Sequence, residues 1–278
     1  MAEMMTAPQI REGSIDYNNT RIHYTSTGQG RALVFVHAGI ADSRMWQPQV
    51  EHFSARYQVI TFDLRGYGQT AMAAGDYYLA DDLRAVVDGL GIEKAVVIGC
   101  SMGGNTVINF TLQNPDRVLA LVTVSSDVDG FEGQDTPESE RQWQVAVEAQ
   151  KRHDFDRYAE AVVHLWIDGP RRKPEEVNPR VRDFVKEMLR TSFDTPEGLG
   201  NRVRPAPPAV QRLGEIHTPT LVIGGEEDIP EMAPYTEKLS SSIPGARLAM
   251  IADAGHLPGL EHPAEFNRLL EDFLKSVL

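Results

Sequence analysis

The segment Gly99-Cys100-Ser101-Met102-Gly103 sets one hydroxyl midway between two glycines, and a third glycine follows at 104. A serine hydroxyl is a poor nucleophile until a base takes its proton, and an imidazole serving as that base needs a carboxylate to fix its tautomer. Of the eight histidines, His256 is the one preceded by a strand-like run and followed by a helix-like one, in Asp253-Ala-Gly-His256-Leu-Pro-Gly-Leu. Asp228 lies just past another apolar run, in Ile223-Gly-Gly-Glu-Glu-Asp228-Ile-Pro. Together these side chains would perform nucleophilic attack on an electrophilic carbon, with proton transfer through the imidazole. Glu226, Glu227 and Asp228 are adjacent, so spacing alone does not choose the acid. At about 7% each of Gly and Ser, the bare serine pattern arises by chance about once per ten chains of this length, so its context must carry the argument.

That context is a series of runs rich in Val, Ile and Leu at Ala32–Val36, Gln58–Phe62, Ala95–Gly99, Leu119–Val124 and Thr220–Gly224. They lack polar alternation, which predicts strands buried on both faces. Helix-length stretches separate or follow them at Ser43–Ser54, Tyr77–Leu90, Met102–Asn114, Met232–Ser242 and Pro263–Val277. The alternation predicts a parallel sheet with helices on both faces. Ser14–Tyr17 and Arg21–Ser26, joined by Asn18-Asn19-Thr20, predict an antiparallel hairpin at its edge. Ser101 then sits on a strained strand-to-helix turn at the C-terminal edge of the sheet. Glycines on either side allow strand and helix to approach, and the helix N-terminus faces the place where an oxyanion would form. Asp228 and His256 fall on loops at that same edge.

The alternation stops near Ser125 and resumes near Pro219. The intervening stretch shows no convincing strand but has helical spacing at Tyr158, Val162 and Leu165, and again at Val181, Phe184, Val185 and Met188. Breaks fall at Gly169-Pro170, Asn178-Pro179 and Pro205-Ala-Pro-Pro208. The expected organisation is a core of residues 1–125 and 213–278 interrupted by a helical cap, 126–212. Launched beside the serine turn, the cap is expected to pass over the site and set substrate choice without supplying catalytic groups.

The order Ser101, Asp228, His256 resembles that of the α/β-hydrolase fold superfamily, specifically capped serine hydrolases of carboxylesterase or lactonase type. The resemblance runs from about Gly13 to the C-terminus. It is carried also by His37-Ala38-Gly39 after a strand, by Asp63-Leu-Arg65-Gly-Tyr-Gly68, and by Ala254-Gly-His256-Leu-Pro-Gly-Leu-Glu-His-Pro. It implies a mostly parallel eight-stranded sheet with the cap inserted after the sixth strand, and an oxyanion hole formed by the Gly39 and Met102 amides. The family usually has His-Gly where this chain has His37-Ala38, a departure in the loop that leads to Gly39. Some relatives carry the acid after the sixth strand, which nominates Asp127 beside Asp228. Ile40, Trp143, Trp166 and Leu257 are candidate substrate contacts.

The remaining features read as structural. Cys100 points away from Ser101 at such a turn and packs as a small buried residue. His37 is expected to stabilise its loop, and His23, His52, His217 and His262 to be surface or core residues. His153 and His164 are read as satisfied helix histidines. The ten arginines between Arg141 and Arg204 include a possible clamp for a substrate carboxylate, yet a charged cap surface is the more ordinary reading.

With 278 residues the chain is long enough to bury a core without staples, and its single cysteine excludes an internal disulfide framework. Twenty-seven basic against forty acidic side chains, a formal charge of -13, argue against nucleic acid and anionic membrane surfaces as partners. The N-terminal residues lack the basic-then-apolar layout of a signal peptide and read as a frayed tail. Neither H-E-x-x-H, C-x-x-C, a phosphate loop nor a dinucleotide fingerprint occurs, so no metal or cofactor is expected. The expectation is a soluble cytoplasmic enzyme that cleaves small carboxylic esters or lactones through an acyl-enzyme. A serine at the turn argues against the dehalogenase and epoxide hydrolase branches, which need a carboxylate nucleophile. The same side chains would also suit a meta-cleavage carbon-carbon hydrolase, a perhydrolase, or a small-molecule receptor that does not turn its ligand over.

Overall fold

A computed structural model describes residues 10–133, 136–195 and 198–278. The segment read as a frayed tail, residues 1–8, lies outside them. In chain order the first half comprises β1 (Ile10–Tyr17), β2 (Thr20–Thr27), β3 (Ala32–Val36), α1 (Gln47–Phe53), β4 (Gln58–Phe62), β5 (Gly75–Tyr77), α2 (Leu79–Gly89), β6 (Ala95–Cys100), α3 (Met102–Gln113) and β7 (Val118–Val124). The second half adds α4 (Pro137–Lys151), α5 (Phe155–Val163), α6 (Pro179–Phe193), β8 (Gly200–Arg202), β9 (Thr220–Gly225), α7 (Met232–Ser242), β10 (Arg247–Ile251), α8 (Pro258–Glu261) and α9 (Pro263–Val277).

Eight strands form one sheet in the order β1-β2-β4-β3-β6-β7-β9-β10. It is antiparallel from β1 to β2 and β2 to β4, and parallel from there on. Asn18 and Asn19 both take positive φ, 43° and 63°, which lets the β1–β2 hairpin close in two residues. The two sheet faces bury different residues of the same strand. Leu33 and Phe35 of β3, with Val96 and Ile98 of β6, pack on one side, while Ala32, Val34 and Val36, with Ala95 and Val97, pack on the other. Burial on both faces is why these strands read as unbroken apolar runs.

Three elements depart from the runs delimited in the sequence. The stretch Ser43–Ser54 is not one helix, since a 3-10 turn at Ser43–Trp46 precedes α1, which starts with Pro48 in its first turn. The edge strand β10 carries Leu248 and Met250 half exposed and so lacks the buried signature. The insertion does contain a strand: β8 pairs in parallel with β5 over three residues, too few and too polar to register as a run. Among the described residues between β7 and β9 the other elements are helices and helical turns, and the breaks at Gly169 and Asn178 fall where anticipated. Gly169, φ 70°, ends a single π-helical turn at His164–Asp168, and Asn178 caps α6 with Pro179 behind it.

Candidate active site

β6 ends at Cys100 and α3 begins at Met102, so Ser101 alone makes the turn, at φ 53° and ψ -119°. A non-glycine residue held there costs on the order of 1–3 kcal/mol, and the surroundings enforce it. The Ser101 amide donates to the Val124 carbonyl at 2.9 Å, and its own carbonyl accepts from Asn105 at 3.0 Å. A Cβ on Gly99 would lie 2.1 Å from the Gly103 carbonyl oxygen, and one on Gly103 would lie 2.3 Å from that of Val36. Both glycines are therefore required for α3 to start against β3 and β6.

His256, on the loop after β10, and Asp228, on the loop after β9, are buried together. The His256 Nδ1 is 2.9 Å from Asp228 Oδ2 and 3.1 Å from Oδ1. Asp228 Oδ1 also accepts the Ile229 amide at 2.8 Å, which fixes the carboxylate plane. An ionised carboxylate only accepts, so Nδ1 carries the hydrogen and Nε2 is left with its lone pair. Among the described residues His256 pairs with Asp228, and no hydrogen bond or ion pair joins it to Asp127. Burial pushes its carboxyl above the usual range, and its charged neighbours are Arg202, Asp129 and Arg204.

His37 accepts the Leu64 amide at Nε2, 2.8 Å, and so donates from Nδ1 to the Ala38 carbonyl, 2.8 Å. Complete burial lowers its pKa and keeps it neutral, a pin between two loops. The Ala38 amide turns inward to Met45 Sδ at 3.4 Å, so the alanine methyl is accommodated in the core. The next residue, Gly39, lies against Met102: a Cβ built on it would be 3.6 Å from Met102 Cε and 3.6 Å from the Tyr67 hydroxyl. Burial pushes the Tyr67 phenol up to about 12, leaving a neutral O–H donor beside Gly39. Tyr67 sits inside the quoted Asp63 motif but was not singled out there. Asp63 steadies that turn by accepting the amides of Ser43 and Gln69 at 2.9 and 2.8 Å. Ile40 is partly buried beside these residues against the core.

The insertion reaches His256 directly. The His256 amide donates to the Trp166 carbonyl at 3.0 Å, and the two rings lie 4.3 Å apart at 48°. The expected role of the insertion, setting substrate choice without supplying catalytic groups, does not anticipate this backbone contact, which comes from the π-helical turn His164–Asp168. From the other side Cys100 Sγ donates to the His256 carbonyl at 3.5 Å, its thiol pushed well up by burial and the nearby acids, which suits a packing role. Leu257 is fully buried in the core. Trp143 is not brought to these residues: it is 46% exposed on α4.

Two further residues escaped the sequence reading. Glu261 accepts the amides of Gly255 and Leu257 at 2.9 and 3.1 Å, one on each side of His256. It belongs to the C-terminal motif, so its position was visible although its role was not. Arg172 binds Glu261 at 3.1 Å. Nothing in sequence distinguishes it from the other arginines of the insertion. Among the described residues no group of three or more His, Cys, Asp or Glu side chains is placed to hold a metal ion. No helix there is long and apolar enough to cross a membrane.

Residues 31–168 match the family model of the alpha/beta hydrolase fold. Over 251 residues the chain is 27% identical to 3-oxoadipate enol-lactonase 1 of Acinetobacter baylyi, covering 88% of this chain and 89% of that protein. It is also 27% identical, over 287 residues, to the 2-hydroxy-6-oxo-6-phenylhexa-2,4-dienoate hydrolase of Comamonas testosteroni, covering 94% and 93%. A thermophilic esterase of Thermogutta terrifontis, solved with malate bound, superposes with a TM-score of 0.76 at 25% identity, over 97% of this chain and 99% of that one.

Proposed function

The chain belongs to the α/β-hydrolase superfamily, and on that premise we propose that it is a serine hydrolase of small carboxylic esters or lactones. The observation that carries the reading is the buried pair His256–Asp228, whose Nδ1···Oδ2 contact of 2.9 Å leaves Nε2 free to act as a base. The strained backbone at Ser101 supports it, since a nucleophile held on a tight turn projects its hydroxyl from the sheet edge. His256 takes the Ser101 proton as the oxygen attacks the carbonyl carbon. The Gly39 and Met102 amides stabilise the oxyanion, and imidazolium then protonates the departing alkoxide as the acyl-enzyme forms. Water, deprotonated by the same Nε2, attacks the acyl-enzyme and releases the acid and free Ser101. With a lactone the alcohol and acid leave as one molecule.

We take the helical insertion, 126–212, as the cap of this site, with Trp166 and the neighbouring Leu165, Ile229 and Met232 as its apolar wall. The similarity to a dienoate hydrolase favours a second reading, cleavage of a carbon-carbon bond by the same side chains. A panel of p-nitrophenyl esters of increasing acyl length, run beside simple lactones and a dienone diketone, tests both. Sustained turnover of esters or lactones is expected, and turnover of the diketone alone would transfer the assignment. Binding followed by at most one slow cycle would favour a receptor.

A further inference from the structure

The geometry points to Arg172 and Glu261 as positioning residues for His256, joining the insertion to the loop that carries the proposed base. This inference rests on the assignment of His256 above and adds to it a condition, that the imidazole is correctly placed only while the π-helical turn is docked on its loop. Arg172 leaves the chain four residues after Asp168 and folds back over the turn. Its Nε donates to the Asp168 carbonyl at 2.9 Å, one Nη to the Ile167 carbonyl and to Glu261 Oε2, and the other Nη to the Asp253 carbonyl. One guanidinium thus joins two carbonyls of the insertion to one carbonyl and one carboxylate of the core. The planar five-donor fork is what makes this possible, and a lysine ammonium could not span the set.

Glu261 completes the joint, because its two oxygens accept the amides immediately before and after His256. Burial raises its pKa, and Arg172 and those amides oppose the shift, so the carboxylate's charge depends on the company it keeps. Arg172 and Glu261 are 14% and 4% exposed, so the pair is shielded from salt and water in a way surface pairs are not. The fit is close at the backbone as well. A Cβ on Gly255 would meet the Ile167 carbonyl oxygen at 2.7 Å and Arg172 Nη2 at 2.9 Å. Neither side chain touches the reacting atoms. They act through the backbone of residues 253–257, and hence through the position of the imidazole.

The test compares Arg172→Ala, Arg172→Lys and Glu261→Gln with a control, Glu187→Gln, which cuts the separate insertion-to-core pair between Glu187 and Arg44. A displacement of about 1 Å at a reacting group costs roughly 10²-fold. The expected result is therefore a fall of about that size in kcat for p-nitrophenyl acetate in Arg172→Ala, with KM within about twofold, partial rescue in Arg172→Lys, and no change in Glu187→Gln. The Nδ1–H proton of His256, held 2.9 Å from Asp228 Oδ2, is expected to resonate far downfield and gives a readout independent of turnover, which should broaden or move upfield in Arg172→Ala and Glu261→Gln. If Arg172→Ala does not fold, Arg172→Lys and Glu261→Gln carry the test alone. An unchanged resonance and unchanged kcat in folded variants would overturn the inference, as would an equal loss of kcat in Glu187→Gln. Should wild type turn over none of the substrates, the ester assignment fails while the resonance still decides the positioning.

Discussion

The indole of Trp166 lies 4.3 Å from the imidazole of His256, and the Trp166 carbonyl holds the histidine amide at 3.0 Å. A residue of the insertion thus supports the ring whose Nε2 is proposed to receive the proton from Ser101. Removing the indole should act on the base as well as on the substrate pocket, while the backbone bond remains.

Trp166→Ala is expected to slow the reaction of Ser101 with a small organophosphate roughly tenfold, together with kcat, because that reagent needs only the nucleophile, base and oxyanion donors. Trp166→Phe should recover part of the loss. Phosphonylation rates on variants of matched melting temperature provide the check. A change confined to KM and acyl-length preference would reduce Trp166 to a wall of the pocket.

Ser101→Ala should lower kcat by about 10⁴–10⁶-fold without disturbing the fold. Ser101→Gly should be equally inactive but melt at a higher temperature than Ser101→Ala. Relief of about 1–3 kcal/mol of backbone strain at φ 53° exceeds the entropic cost of about 0.5–1 kcal/mol that glycine brings. Calorimetry on the two variants compares them directly, and equal melting temperatures would mean that the turn is unstrained.

The two candidate acids separate by kinetics. Asp228→Asn leaves an amide opposite Nδ1, favours the wrong imidazole tautomer, and should cost about 10⁴-fold in kcat. Asp127→Asn, unpaired with His256 and lying among Arg202, Asp129 and Arg204, should cost far less and affect stability first. A greater loss from the Asp127 variant would move the acid to the end of β7.

A stability test concerns Glu271, which accepts from Arg56 at 2.6 Å and Lys275 at 3.2 Å and whose pKa is lowered to about 2, chiefly by the Arg56 hydrogen bond. A folded-state pKa below the unfolded 4.5 means that the ionised carboxylate stabilises the fold above that value and that the contribution is lost as pH falls toward about 2. The cluster is exposed to solvent, so the effect should stay below about 1 kcal/mol and shrink in high salt. Glu271→Gln should melt below wild type near neutral pH and match it near pH 2. A gap in melting temperature that does not narrow with acid would exclude the charge as its origin.

The sheet was legible because its central strands are buried on both faces, so that β3, β4, β6, β7 and β9 stand out as unbroken apolar runs. The turn at Ser101 was legible for a mechanical reason, since Gly99 and Gly103 mark where strand and helix backbones nearly touch. β10, the strand-like run before His256, stands outside those buried runs because an edge strand with half-exposed Leu248 and Met250 has no such signature, and β8 was missed because three residues, Gly-Asn-Arg, cannot form a pattern. The acid was ambiguous among neighbouring carboxylates, a matter of side-chain direction that spacing does not encode. The role of Arg172 was invisible because its partners are mainly backbone carbonyls, and carbonyls are the same at every position of a sequence.

The approach of the insertion to the core loops is a seam of backbone against backbone: a Cβ at Gly169 would strike the Glu227 carbonyl oxygen at 2.0 Å, and one at Gly255 the Ile167 carbonyl oxygen at 2.7 Å. Such a seam tolerates little drift in sequence on either side. A chimera that exchanges helical insertions between relatives would have to carry the turn 164–172 with its host core, splicing on the far side of Arg172. A splice inside that turn would part Arg172 from the carbonyls of Ile167 and Asp168 that it holds against the core.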